Sequence, residues 1–397
     1  MSQTMPYITR FDAFRAYCVI AVFAFHANLS SLGWIGVQAF FVLSGFLITR
    51  ILCDARERNT HLSSYLSTFY MRRALRIFPA YYAFLLLLLL VVASYSAIPE
   101  RSAFLASFPY LLTYTENLHA LSRDYVNSGL FSHLWSLSVE EQFYIIWPVC
   151  IWFMPMRYLA RFCIAVALFS LTFRSIVLYT DVSDHFRYVA VPRLTMTHLD
   201  AFAIGALAGI KRLPPLLLRP YTLLFSLALV LAGGITIYLS TRGGPMGRSI
   251  TGLGWHVTFA GAGSLIWGYA ILNLFFAHLL SVVAAPENSQ SGLFFKAFDF
   301  APAQALGRIS YGFYIYHDPV LSLLLDRFPN TGIGYWLGFT ISMLVTIVLA
   351  MVSFRLIEMP FLRLKRFWSQ EGPGKPAPMP AGDGSPSSQD APPINAT

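Results

Sequence analysis

Residues 78–98, FPAYYAFLLLLLLVVASYSAI, run for 21 positions without a charged side chain. A helix needs roughly 20 mostly apolar residues to cross the hydrocarbon core of a bilayer. In lipid every backbone polar group must be satisfied within its own segment, so such a run reads as a spanning helix. Nine further runs of the same kind lie on either side of it, at approximately 13–31, 34–52, 142–156, 158–179, 197–210, 220–240, 254–281, 309–326 and 334–357. Of the 397 residues, 56% are hydrophobic and 12% charged, against roughly 25% charged in soluble domains. The mean hydropathy is +0.58. The expected fold is therefore all-α: a polytopic membrane helix bundle of about ten transmembrane helices. The first run is too long for a secretory signal and has no small-residue cleavage site. Cys18, Cys53, Cys150 and Cys163 lack metal spacing, so neither a disulfide framework nor a zinc site is expected, and no metal is assigned.

Lysine and arginine set the orientation. With the N-terminus inside, 20 of these residues fall on the cytoplasmic side and 7 on the other, with Arg174 inside a span. Ten spans with both termini cytoplasmic satisfy this bias. It also accounts for most of the net charge of +9 without invoking nucleic acid. From about 371 to 397 the chain turns to Pro, Gly, Ser and Asp, a composition expected to form a disordered cytoplasmic tail. Residues 1–370 form the membrane domain.

Ionisable groups inside spans are costly, and each is a functional candidate. Arg15 and His26 are 11 residues apart, which on a helix returns the side chain to within about 20° of the same direction and separates the pair by roughly 16 Å. Asp12, one turn before Arg15, can pair with it. In FYMRRALRIFPAYY, Arg72, Arg73 and Arg76 converge on one flank at the entrance to the third span, and forked guanidiniums suit phosphate. Positive-inside anchoring explains the same cluster without a ligand. In SHLWSLSVEEQFYIIWP, His133, Ser136, Glu140 and Tyr144 make one helical stripe, with Glu141 beside it. One of the two carboxylates could orient a histidine on a neighbouring helix. The same residues also read as a helix start with interfacial aromatics. Asp200 stands in a helix rich in small residues, while Ser310, Tyr314 and His317 share a face of the ninth run. GWIGVQAFFVLSGFLITR suits close helix packing or a re-entrant turn.

Seven segments in this order resemble the acyltransferase-3 family of membrane acyltransferases, which includes O-antigen, Nod-factor and macrolide O-acylating enzymes. They are RFDAFRAYCVIAVFAFHA, IGVQAFFVLSGFLITR, YMRRALRIFPAY, HLWSLSVEEQFYIIWP, the Asp200 helix, ISYGFYIYHDP and RLIEMPFLR, together reaching from Arg10 to about Arg366. The chain departs from the family's usual Asp-Gly-Leu-Arg with Asp12-Ala13-Phe14-Arg15, and has Gln38 where an acidic residue often stands. It shows no segment resembling the SGNH domain fused in many relatives.

The resemblance implies transfer of an acyl group, commonly acetyl, from cytoplasmic acyl-CoA to a hydroxyl of a carbohydrate. The acceptor would be a lipopolysaccharide O-antigen, an exopolysaccharide or another glycolipid, at a bacterial inner membrane. Arg15 and His26 match the family's Arg-x10-His, and Arg72, Arg73 and Arg76 match its arginine cluster. The arginines would hold the coenzyme's phosphates. His26 would act as base or transient acyl carrier, with Glu140 or Glu141 as its partner. A transporter or flippase of a lipid-linked sugar is the alternative that ten helices with intramembrane charges also suit.

Overall fold

The computed structural model describes residues 7–59, 61–94, 100–210, 222–240, 255, 264–284, 292–329 and 331–368. The tail expected from 371 lies outside the described residues. In chain order the helices are α1 (Arg10–His26), α2 (Ile35–Arg58), α3 (Leu62–Ser94), α4 (Arg101–Leu112), α5 (Glu116–His119), α6 (Trp135–Phe153), α7 (Met156–Tyr179) and α8 (Thr195–Gly209). They continue with α9 (Thr222–Ser240), α10 (Ser264–Val283), α11 (Leu293–Phe298), α12 (Ala301–Arg308), α13 (Ser310–Leu324), α14 (Gly332–Ser353) and α15 (Met359–Leu364). Each of the ten apolar runs has a helix, and no strand occurs among the described residues.

The ten are not alike. Six of them, α2, α3, α7, α9, α10 and α14, are long and apolar enough to cross a membrane. The other four, α1, α6, α8 and α13, have 17, 19, 15 and 15 residues and carry Asp12, Arg15, His26, Glu140, Glu141, Asp200 and His317, while the arginine cluster lies on α3. α8 and α13 are buried along most of their length. A helix walled in by other helices needs neither the length nor the uniform apolar surface that lipid demands.

Small residues let these inner helices touch. A Cβ on Gly45 of α2 would sit 2.0 Å from the Phe202 carbonyl oxygen of α8, and one on Gly205 would sit 2.0 Å from that of Val42. α2 is a continuous helix from Ile35, so the glycines of GWIGVQAFFVLSG serve close packing rather than a re-entrant turn. A Cβ on Gly36 would lie 2.5 Å from the Cys18 carbonyl oxygen of α1.

Asp200 is not a solitary carboxylate. Its Oδ2 accepts from Arg174 Nη2 at 2.6 Å, and Arg174 also donates to Ser170 Oγ at 3.1 Å and to the Thr197 carbonyl. The Ala201 amide donates to Asp200 Oδ1 at 3.0 Å, and the guanidinium lies 5.0 Å from the Tyr269 ring centre. Both side chains are sealed, so this is a buried ion pair clamping α7 to α8. Between α3 and α6 the chain folds back along α3. Tyr81 and Tyr82 donate to the Leu111 and Leu112 carbonyls at 2.8 and 3.1 Å, and Gln142 of α6 donates to that of Tyr114 at 3.1 Å.

Candidate functional site

The polar residues of α1, α3, α6 and α13 form one track through the bundle. At its basic end the track begins with Arg15 of α1, whose Nη1 donates to Asp12 Oδ1 at 2.7 Å, while Tyr7 donates to the other oxygen of Asp12. A Cβ on Gly307 would lie 1.8 Å from the Asp12 carbonyl oxygen, so α12 is pressed against this turn. Arg76 of α3 lies within electrostatic reach of Arg15. Arg72, Arg73 and Arg76, and with them Glu358, lie within electrostatic reach of Lys365, which follows α15. Among the described residues none of these four cations makes an ion pair or hydrogen bond with the protein. Arg73 instead rests over the Tyr144 ring at 4.9 Å.

Further in, Ser44 of α2 donates to Glu140 Oε1 at 2.8 Å and lies 3.1 Å from the Tyr144 hydroxyl, which is itself 3.3 Å from Glu140 Oε2. Arg73 and Arg15 are both within reach of the Glu140 charge. Ser136, one turn before Glu140, lies 2.5 Å from the Tyr314 hydroxyl of α13, and Tyr314 donates to the His133 carbonyl at 3.0 Å. The stripe drawn from sequence spacing along α6 is therefore matched by partners on α2, α3 and α13.

At the far end three histidines and a carboxylate meet. His26 Nδ1 lies 3.1 Å from His317 Nε2 and 3.1 Å from the Val22 carbonyl. Asp318 Oδ2 lies 3.8 Å from His26 Nε2 and 3.5 Å from His133 Nδ1. Three backbone carbonyls set the protons, because a carbonyl oxygen can only accept. His317 Nδ1 faces the Tyr314 carbonyl at 2.5 Å and His133 Nε2 faces that of Ile315 at 3.0 Å, so both of these nitrogens are N–H. His317 Nε2 is then a lone pair and accepts from His26 Nδ1–H. In the neutral ring His26 Nε2 is the unprotonated nitrogen, 3.8 Å from Asp318 Oδ2. His26 keeps 24% of its side chain accessible, whereas His133 is sealed, so of the two only His26 can meet a substrate.

The pairing expected for His26 is corrected here. Glu140 and Glu141 make no hydrogen bond or ion pair with it among the described residues, and the carboxylate beside it is Asp318. Glu140 lies seven residues, about two helical turns, beyond His133 and is bound to Ser44, and Glu141 is buried with Oε1 unpartnered. Asp318 and Lys365 were legible in principle, since HDP and LRLKR place a charge in or beside a span. Ser44 gave no signal. Gln38 is buried and donates to Asn273 Oδ1 at 2.7 Å, with its own oxygen 3.1 Å from His198 Nδ1, a polar contact among α2, α8 and α10. Ser310 is buried without entering the track.

Such a bundle, with cations at one end and imidazoles at the other, is that of a polytopic membrane protein. The family profile described as an acyltransferase domain, acyltransferase-3, matches residues 8–355, and the chain belongs to this family. It is similar to the peptidoglycan O-acetyltransferase OatA of Listeria monocytogenes, 32% identical over 373 residues that cover 89% of this chain and 56% of the relative. It is also similar to the O-acetyltransferase OatA of Staphylococcus aureus, 29% identical over 383 residues covering 91% of this chain and 58% of the relative. The chain thus spans little more than half the length of these curated relatives. No solved structure matches it.

Proposed function

We propose that the protein is a membrane O-acyltransferase that moves an acyl group, in the simplest case acetyl, from cytoplasmic acyl-CoA to a hydroxyl of a carbohydrate acceptor. The observation that carries this reading is a cluster of four cations, none of which makes an ion pair or hydrogen bond with the protein among the described residues, joined by one polar track to an imidazole whose Nε2 stands beside Asp318. Clustered unpaired cations call for a polyanion, and the phosphates of coenzyme A supply one. Arg15 and His26 lie on the same face of α1 and are separated by roughly 16 Å, a distance that the pantetheine arm spans in extended form. His26 Nε2 takes the proton of the acceptor hydroxyl as the oxygen attacks the thioester carbonyl. Asp318 Oδ2 stabilises the imidazolium, and the proton leaves with the CoA thiolate as thiol. His317 holds the ring by accepting from Nδ1–H, and Tyr314 and Ser136 fix the backbone around His133.

The relatives' names favour a cell-wall glycan as acceptor over lipopolysaccharide O-antigen or exopolysaccharide. The bacterial cell membrane is the place where both substrates meet. The test uses purified protein in lipid nanodiscs with labelled acetyl-CoA and peptidoglycan fragments. Label should pass to the glycan in wild type and not in His26→Ala, with both proteins monodisperse. Label transfer by His26→Ala, or an acetyl-CoA pool left intact by wild type with every glycan offered, would sink the proposal. The second result would move the reading to a carrier.

A further inference from the structure

The segment RLIEMPFLR resembles the family but has no part in the track described above, and one of its residues is out of place for a purely structural role. Glu358 ends a π-helical turn, Phe354–Glu358, that interrupts the long helix running from α14 into α15. Such single-turn interruptions re-aim side chains and recur at functional sites. Glu358 is only 4% exposed, yet its Oε1 has no hydrogen-bond partner. A buried carboxylate oxygen left without a donor is destabilising, so its retention needs a reason. The oxygen is held close against α13, where a Cβ on Gly312 would lie 3.3 Å from it. Arg76 and Lys365 lie within electrostatic reach of Glu358, and neither is joined to it by an ion pair among the described residues.

We infer that Glu358 is a ligand-facing acceptor in the donor site and reads a ribose hydroxyl of the coenzyme's nucleotide end. This rests on the acyl-CoA reading above. Four cations alone would hold any polyphosphate. A carboxylate among them repels phosphate, so it is retained only if the ligand presents a neutral donor directly beside its phosphates. A hydroxyl next to a phosphate has that chemistry. It occurs on the phosphorylated ribose and also on the pantoic unit of the pantetheine arm. The ribose is favoured because Glu358 stands beside Arg76 and Lys365 within the cation cluster, whereas the arm must run inward towards His26.

The experiment measures equilibrium binding of acetyl-CoA, its 3′-dephospho form and acetyl-4′-phosphopantetheine to wild type, Glu358→Gln and Glu358→Asp in nanodiscs. Glu358→Gln should weaken both nucleotide-bearing donors about 10-fold, the scale of one hydrogen bond to a charged group, and leave the phosphopantetheine thioester unchanged. Glu358→Asp withdraws the carboxylate by one methylene and should give the same pattern, so one misfolded variant leaves the other to decide. Equal weakening of all three ligands would assign Glu358 to the arm or to support of Arg76 and overturn the inference, as would no change. If wild type binds none of the three, the acyl-CoA reading itself fails, which is a different result from a wild type that binds them and variants that do not discriminate.

Discussion

Two groups of arginines sit among these helices, and they are treated in opposite ways. Arg174 is sealed between α7 and α8 with Asp200, Ser170 and the Thr197 carbonyl around it. Arg72, Arg73 and Arg76 are gathered with Lys365, and among the described residues none of the four makes an ion pair, although Glu358 and Glu140 lie within electrostatic reach. A guanidinium sealed against its own carboxylate has no charge left to offer an anionic substrate. One held among other cations is unstable until an anion arrives, and its fold must tolerate that repulsion for the sake of binding. Satisfaction of the charge, rather than depth or residue type, separates scaffold from site.

The largest test of this contrast is Arg174→Ala. It leaves Asp200 buried without a counter-charge and should cost about 3–5 kcal/mol of stability, read as a steep fall in the thermal midpoint in detergent. Replacing both residues by leucine should recover much of that loss, since a buried pair is seldom worth more than apolar packing. A midpoint unmoved by Arg174→Ala would dissolve the distinction. Asp318→Asn should reduce kcat about 100-fold with KM little changed, because it keeps the shape and removes the charge that faces the imidazolium. A rise in KM alone would place Asp318 in binding instead. Arg76→Ala should leave the thermal midpoint in place or raise it slightly, while acetyl-CoA affinity falls about 10-fold and its dependence on salt becomes shallower. The smallest effect is expected from Gln38→Leu, which exchanges a hydrogen-bonded amide for an apolar group near His198. A loss of about 1 kcal/mol in stability with kcat unaltered would confirm that this network serves packing.

The fold was readable because lipid imposes one rule on every spanning segment. FLLLLLLVVAS could hardly be anything other than a helix in hydrocarbon, and each apolar run found its helix. The active stripe was partly readable for a related reason: an imidazole or carboxylate in such a run needs justification, which singled out His26, Glu140 and His317. Partnership was harder. Glu140 and Asp318 are equally acidic residues in apolar helices, and sequence spacing links neither to His26. The choice depends on how α13 is seated against α1 and α6, which no local pattern encodes. Asp200 shows the same gap, since its partner Arg174 is 26 residues away on another helix.

Sequence alone determined that the chain is a helical membrane protein, which end is basic, and that Arg15 and His26 share a face of one helix. These follow from solvent and helical repeat, properties that each segment carries by itself. Tertiary structure alone decided that Asp318 rather than Glu140 or Glu141 stands by His26, that Lys365 joins the arginines, and that Arg174 and Asp200 cancel each other. Those are relations between segments, set by glycine contacts such as Gly45 against Phe202 and by interhelical hydrogen bonds.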